Sequence, residues 1–524
     1  MSIHRQIRFY QAALLTLTLA ACATRGNKPG DPVASLASAR TAEAAGLDSP
    51  AEVAAYNQAV ADTVAWWQTR EQPGGAAGSI TVPGSAITLS AQVPKGVYWD
   101  KFVAGNSVKL TSVKTRATRD GVGSPQVAYW ASNKDRINRQ PLLSEAGYSV
   151  PLTASLDFPG QDRAVLRFED PRTTAATRVD GSRHPLAGDF TAPLEQALNK
   201  DNLQGQVMLN RFGALFQSGK YLDKLGLIAV EPPQPDKIPV VFVHGLISKP
   251  LTWTAVVNKL NEDPVIRAKY QFYFFRYPTG VPVLYSAAKF RDQLAVLDAE
   301  LAKVHNQHRD QMVLIGHSMG GLLSKEQIQT SGDRLWIGIF GGTPETLKMR
   351  SETVKRLRPY MEFTPNPHIE RVVFVSTPHR GSKIADFSIV RFLTSRLIKL
   401  PLNVLDTTLS VVIQGQEADP VLVPLTAKRL PSSVDNLSPT SNFVKISQTL
   451  PISPKVHLHT IAGNKNGLPL DDPRAGDGVV PYTSAHLDGV ESELVVKSGH
   501  GAHETPEAQE EIRRILRLHV GAGR

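Results

Sequence analysis

Apolar positions recur at different spacings along this chain, and the changes of spacing divide it. From Ser49 to Arg70, Val53, Tyr56, Val60, Val64 and Trp67 follow one another at three or four residues, which predicts an amphipathic helix starting at Asp48 or Ser49, ahead of Pro50. Between Ile80 and Val230 the pattern changes to short alternating runs, such as Ile87–Val93 and Ala164–Phe168, broken by Gly and Pro. Alternation with a period of two predicts half-buried strands and hence a β-rich accessory domain. Beyond Glu231-Pro-Pro-Gln-Pro-Asp236, where proline removes backbone donors, the runs turn continuously apolar: Ile238–Val243, Gln271–Phe275, Met312–Ile315, Arg371–Val375 and His457–Ala462. Strands of this kind are buried on both faces of a parallel sheet. Helical segments separate them, Tyr285–Val304 most clearly and Leu322–Thr330 after the fourth residue of a Gly-rich motif. The alternation predicts an α/β fold with a doubly wound, mostly parallel sheet behind a β-rich N-terminal domain.

The N-terminus reads differently. His4, Arg5 and Arg8 precede an apolar run, Ala12–Ala21, which is too short to span a bilayer and has the form of a signal peptide. It ends in Leu19-Ala20-Ala21-Cys22, which resembles the bacterial lipobox, with Cys22 as the site of lipid attachment. Cys22 is the only cysteine, so it forms no internal disulfide. Ala23 in place of Asp favours the outer membrane, by resemblance to Gram-negative sorting signals. The expected organisation is a lipoprotein signal peptide at 1–21, a flexible Gly-, Pro-, Ser- and Ala-rich tether at 22–47, an accessory domain at 48–230 and an α/β domain at 231–524. Residues 331–370 and 384–455 look like insertions that shape or cover a site. Phe392, Leu393, Leu397, Ile398 and Leu400 suit the apolar underside of a lid.

Composition narrows the function. The chain is 41% hydrophobic and 20% charged, as globular proteins are. Its net charge of +10 is spread without long basic runs, so no nucleic-acid partner is expected. A solvated basic surface accounts for the excess, with weak attraction to anionic lipid as the alternative.

The chemistry lies in the α/β part. Gly316-His317-Ser318-Met319-Gly320 has the G-x-S-x-G spacing and sits between a predicted strand and a predicted helix, where small neighbours let the Ser318 hydroxyl stand clear of the sheet as a nucleophile. The loop His244-Gly245-Leu246 follows the first strand of the domain, and the expected oxyanion donors are the backbone amides of Leu246 and Met319. His244 is expected to order that loop. The chain order Ser, acid, base calls for a downstream carboxylate and histidine. Asp477 lies in the tight turn Gly476-Asp477-Gly478, whereas the competing Asp471 and Asp472 sit in a Pro-rich loop facing solvent. His500 follows the predicted strand Ser492–Lys497 directly and is preferred as base over His503, which is nearer the helix Pro506–His519. His457 and His459 alternate along a strand without nearby ligand partners, so no metal site is expected.

From Pro239 to Leu518 the chain resembles α/β-hydrolase lipases and esterases, particularly the lipase-like group that includes glycosylphosphatidylinositol deacylases. The residues that carry the resemblance are His244-Gly245, Gly316–Gly321, Ser376-Thr377-Pro378-His379-Arg380-Gly381-Ser382, Asp477–Pro481 and His500. The resemblance implies the α/β-hydrolase fold and ester hydrolysis without a cofactor, on an ester or lipid substrate, at a lipid-anchored envelope location. An acyltransferase using the same residues and a non-catalytic envelope binding protein on a hydrolase scaffold are the alternatives. Oligomeric state stays open, and the resemblance does not extend to 49–230.

Overall fold

The computed structural model describes residues 30–70, 78–198, 225–382 and 433–522. The expected signal peptide, Cys22 and the lid residues Phe392–Leu400 lie outside the described residues. The chain forms two compact units, each drawn from separate stretches: Met1–Ser107, Arg119–Tyr129 and Pro151–Asp189 in one, and Val108–Thr118, Trp130–Val150 and Phe190–Arg524 in the other. A single boundary at 230/231 therefore does not describe it.

The first unit opens with α1 (Pro32–Ala44) and α2 (Pro50–Trp67). The stretch expected to be a tether thus contains a helix. Asp31 caps it by accepting from Val33 N at 3.0 Å, Pro32 occupies its first turn, and its Ala-rich sequence buries Leu36 and Ala39. In α2, Ser49 and Glu52 form a reciprocal capping box, and Tyr56, Val60, Val64 and Trp67 make the buried face. The main sheet that follows has six strands: β1 (Ser79–Thr81), β2 (Thr88–Gln92), β3 (Lys101–Ala104), β4 (Ser124–Trp130), β5 (Tyr148–Gly160) and β6 (Arg163–Glu169), in the order β1-β2-β6-β5-β4-β3. The alternation in β6 sends Ala164, Leu166 and Phe168 inward. Phe168 meets Trp67 and Phe102, which in turn meet Trp99, in an aromatic cluster with centroid separations of 4.4–5.8 Å.

The second unit holds a seven-stranded sheet: β7 (Gly226–Ala229), β8 (Ile238–Val243), β9 (Tyr270–Arg276), β10 (Met312–His317), β11 (Ile369–Val375), β12 (His457–Gly463) and β13 (Ser492–Val496), ordered β7-β9-β8-β10-β11-β12-β13. All neighbours are parallel except the edge pair β7 and β9. The sheet therefore starts before the Pro-rich boundary, with a four-residue strand too short to register as a pattern. Successive residues of the inner strands face opposite ways, and both faces are apolar. Val241, Val243, Leu314 and Phe374 pack with Phe290, Leu294 and Leu297 of α5 (Val283–Lys303), introduced after α3 (Thr254–Leu260) and α4 (Pro264–Lys269). Val240, Phe242, Ile315 and Val373 pack on the other face with Val256, Leu260, Ile266 and the C-terminal helix residues Ile512 and Leu516. Helices on both faces make the doubly wound arrangement. Leu142, Leu143 and Tyr148, from the stretch expected to be purely accessory, join the first of these cores.

Further helices of this unit include α6 (Met319–Lys325), α7 (Arg334–Phe340), α8 (Ser351–Met361), α9 (Asn442–Ser447) and α10 (Pro506–His519). The helix expected over Leu322–Thr330 starts earlier, directly after Ser318, and ends at Lys325. Among the described residues, no helix is long and apolar enough to cross a membrane.

Candidate active site

At the end of β10 the chain reverses within one residue. Ser318 has φ 53° and ψ −123°, a sparsely populated conformation for a residue with a Cβ, and its amide is held by Val375 O at 2.8 Å. The turn closes only because its neighbours lack side chains. A Cβ at Gly316 would stand 2.6 Å from Gly320 O, and one at Gly245 would stand 2.9 Å from Ser318 Cβ. The result presents Ser318 at the N-terminus of α6, where helix amides favour developing negative charge.

Two later strand ends supply its neighbours. His500, after β13, lies with Nε2 2.9 Å from Ser318 Oγ and Nδ1 2.9 Å from Asp477 Oδ2. The carboxylate can only accept, so His500 Nδ1 carries the proton and the Nε2 lone pair faces the serine. Asp477, after β12, is 3% exposed, and its other oxygen accepts from Val479 N at 2.7 Å and Val480 N at 2.6 Å. Its charge is thereby fully solvated by the protein and fixed in direction. Of its competitors, Asp471 is exposed and Asp472 pairs with Arg474 at 2.7 Å.

The loop after β8 completes the arrangement. Neither the Leu246 nor the Met319 amide donates to an acceptor among the described residues, while the amides around them do: Ile247 N to Thr279 Oγ1 at 3.3 Å, and Gly321 N to Ser318 O at 3.0 Å. Ile247, a β-branched residue, is held at φ 55°. Tyr277 braces the loop by donating its hydroxyl to His244 O at 2.6 Å and stacking on the His244 ring at 4.4 Å.

The alpha/beta hydrolase family model matches residues 240–512, just over half of the chain. The chain belongs to the α/β-hydrolase family. No curated protein matches it. Similar solved structures include the mature lipase BlEst2 of Bacillus licheniformis, at 18% identity and TM-score 0.33, covering 56% of this chain and 97% of that one. The metagenomic carboxyl esterase MGS0156 is 14% identical with TM-score 0.31, covering 56% of this chain and 78% of that one. The type II thioesterase BorB from the borrelidin biosynthetic cluster is 14% identical with TM-score 0.26, covering 56% of this chain and 96% of that one.

Several further histidines of this α/β hydrolase are buried. His503, the less favoured candidate base, is 2% exposed and bonds Thr252 Oγ1 through Nε2 at 2.8 Å. Burial, with the field of His500, lowers its pKa to about 4. His317, the second residue of the nucleophile motif, has its ring centroid 4.3 Å from that of His503 and 4.8 Å from that of His500. His244 is likewise held down to about 4 by burial. His379 of the Ser376–Ser382 marker has neither ring nitrogen bonded among the described residues, and burial keeps it well below the usual histidine range. Burial disfavours the charged form of each of these rings. Sequence reasoning took His317 only as a spacer, and its place in the motif was the one signal available. His457 and His459 lie at the opposite ends of the strands, bonding Glu491 at 2.9 Å and Ser492 Oγ at 2.7 Å respectively, with Arg371 alongside.

Proposed function

We propose that this protein is a serine hydrolase that cleaves carboxylic esters through an acyl-enzyme. The observation that carries the reading is the continuous relay from Ser318 Oγ through His500 to Asp477, with 2.9 Å at each link. His500 Nε2 takes the Ser318 proton as Oγ attacks the ester carbonyl carbon, forming a tetrahedral intermediate. Its oxyanion is held by the Leu246 and Met319 amides. The intermediate collapses as His500 returns the proton to the leaving alkoxide, and the alcohol departs. Water, deprotonated by the same imidazole, then attacks the acyl-enzyme, and the acid is released with Ser318 reprotonated. Asp477 keeps the imidazole in the required tautomer and stabilises its charged form throughout.

A lipid or other ester with an apolar acyl part is the proposed substrate class, in keeping with the marker Ser376–Ser382 shared with lipase-like proteins. The proposed location is the cell envelope, with the chain anchored in the outer membrane through lipid on Cys22. Hydrolysis of p-nitrophenyl esters from short to long acyl chains by the form starting after Cys22, against its Ser318→Ala variant, tests the activity. Turnover by the parent and near-complete loss in the variant is expected, and the preferred chain length separates esterase from lipase. A folded parent inert to every ester contradicts the reading. For the anchor, Cys22→Ala releases the full chain from membranes if lipid on Cys22 holds it there.

A further inference from the structure

His500 sits in a loop that does little to hold it. Gly499 and Gly501 flank it, and the Asp477 bond fixes only its ring. The backbone carbonyl of His500 receives one hydrogen bond from the described residues, and that comes from His317: Nε2 lies 2.7 Å from His500 O. A carbonyl only accepts, so Nε2 of His317 carries the proton and donates. The ring is 6% exposed and confined on every side. Its Nδ1 has no partner among the described residues and faces Gly245, where a Cβ would come within 3.0 Å. His503 packs against it at 4.3 Å, itself fixed by Thr252 and by the Trp253 ring at 4.9 Å.

The connection has a mechanical consequence. Residue 317 is covalently joined to the nucleophile, so one peptide bond and one hydrogen bond tie the strand end carrying Ser318 to the loop carrying His500. We propose that His317 is a positioning residue for the base, its Nε2–H gripping the His500 carbonyl so that the imidazole is held on Ser318 Oγ. The role requires a neutral ring, since His500 becomes an imidazolium during each acyl transfer. The titratable groups facing His317 are His503, His500 and His244, and burial together with these neighbours holds His317 well below the usual histidine range. This inference rests on the hydrolytic reading of Ser318.

The test compares His317→Leu, which removes the donor, with His317→Gln, whose amide N–H has similar reach. In the Leu variant kcat is expected to fall by about 100-fold with KM changed by less than about twofold, and Gln to restore kcat to within about tenfold of the parent, with the parent's pH–rate profile. A second readout does not depend on turnover: the low-field proton resonance of the His500 Nδ1–Asp477 bond, recorded on the folded variants after their melting curves are matched. Loss of this resonance in the Leu variant and its retention in the Gln variant supports the proposal even if no ester is hydrolysed, the outcome that would sink only the hydrolytic reading. Parent-like kcat or an unchanged resonance in the Leu variant overturns it, as does a Gln variant as impaired as Leu.

Discussion

The two units of this chain place strain and unpaired polar groups very differently. In the N-terminal unit the described non-glycine residues at positive φ are Asp180 (47°), in the hairpin Asp180-Gly181, and Leu47 (56°), in the turn between α1 and α2. Only one of its buried side-chain polar atoms lacks a partner among the described residues, Trp67 Nε1. In the hydrolase unit three neighbouring inner strands, β8, β10 and β11, lead into left-handed residues that are not glycine: Ile247 at 55°, in the loop after β8, and Ser318 at 53° and Ser376 at 48°, directly after β10 and β11. The unpartnered Nδ1 atoms of His317 and His503 and both ring nitrogens of His379 belong to the same unit. In the hydrolase unit, strained backbone and unpartnered ring nitrogens thus gather around the strand ends that would do the chemistry.

The comparison is broken most severely by changes at those strand ends. Asp477→Asn keeps the shape of a side chain that accepts two backbone amides but stops it from favouring the required tautomer of His500. Ester kcat is expected to fall by on the order of 10⁴ with little change in melting temperature. A parent-like rate would remove Asp477 from the relay. The reverse pattern is expected in the N-terminal unit. Tyr56 donates its hydroxyl to Leu156 O and accepts from Leu156 N at 2.8 Å, so Tyr56→Phe leaves two buried backbone groups unpaired. Denaturant melts should register a loss of about 1–3 kcal/mol, while the labelling rate of Ser318 in folded protein stays the same.

A smaller effect separates two buried carboxylates within the hydrolase unit. Glu195 accepts from the amides of Thr111, Ser112 and Val113 at 2.9–3.2 Å, whereas neither oxygen of Glu326 is bonded among the described residues. Burial raises Glu326 from 4.5 to about 7, against the pull of Arg291 and Lys325. The folded state therefore keeps a proton that the unfolded chain releases, and this residue's contribution to stability falls as pH rises from about 4.5 to about 7. Glu326→Gln cannot ionise, so the slope of unfolding free energy against pH across that window should be more positive in the variant than in the parent. Equal slopes would mean that Glu326 is ionised in the folded state throughout.

Much of this arrangement could be read from residue order. Strands buried on both faces, such as Ile238–Val243, announce themselves as unbroken apolar runs, and helix α10 begins at Thr505-Pro506 where a cap and a proline coincide. The residues brought within hydrogen-bond distance of Ser318 could be located because the nucleophile turn demands glycines at fixed offsets and the later loops each offer few polar candidates. What stayed hidden depends on contacts distant in sequence. The strand Gly226–Ala229 is defined by its pairing with Tyr273–Arg276, and Leu142 and Leu143 reach the hydrolase core from a stretch that reads as accessory. Helix α1 was hidden by Ala-rich composition, which suits a tether and a helix equally. His317 grips a carbonyl 183 positions away, and no local pattern encodes that bond.

The central claim is that Ser318 is an activated nucleophile, and the most direct measurement is peptide mass spectrometry after treatment of the folded protein with a fluorophosphonate. The account predicts a single covalent adduct on Ser318, absent from Ser318→Ala and formed far more slowly in Asp477→Asn. No adduct on the folded parent, or an adduct that persists in Ser318→Ala, would contradict it.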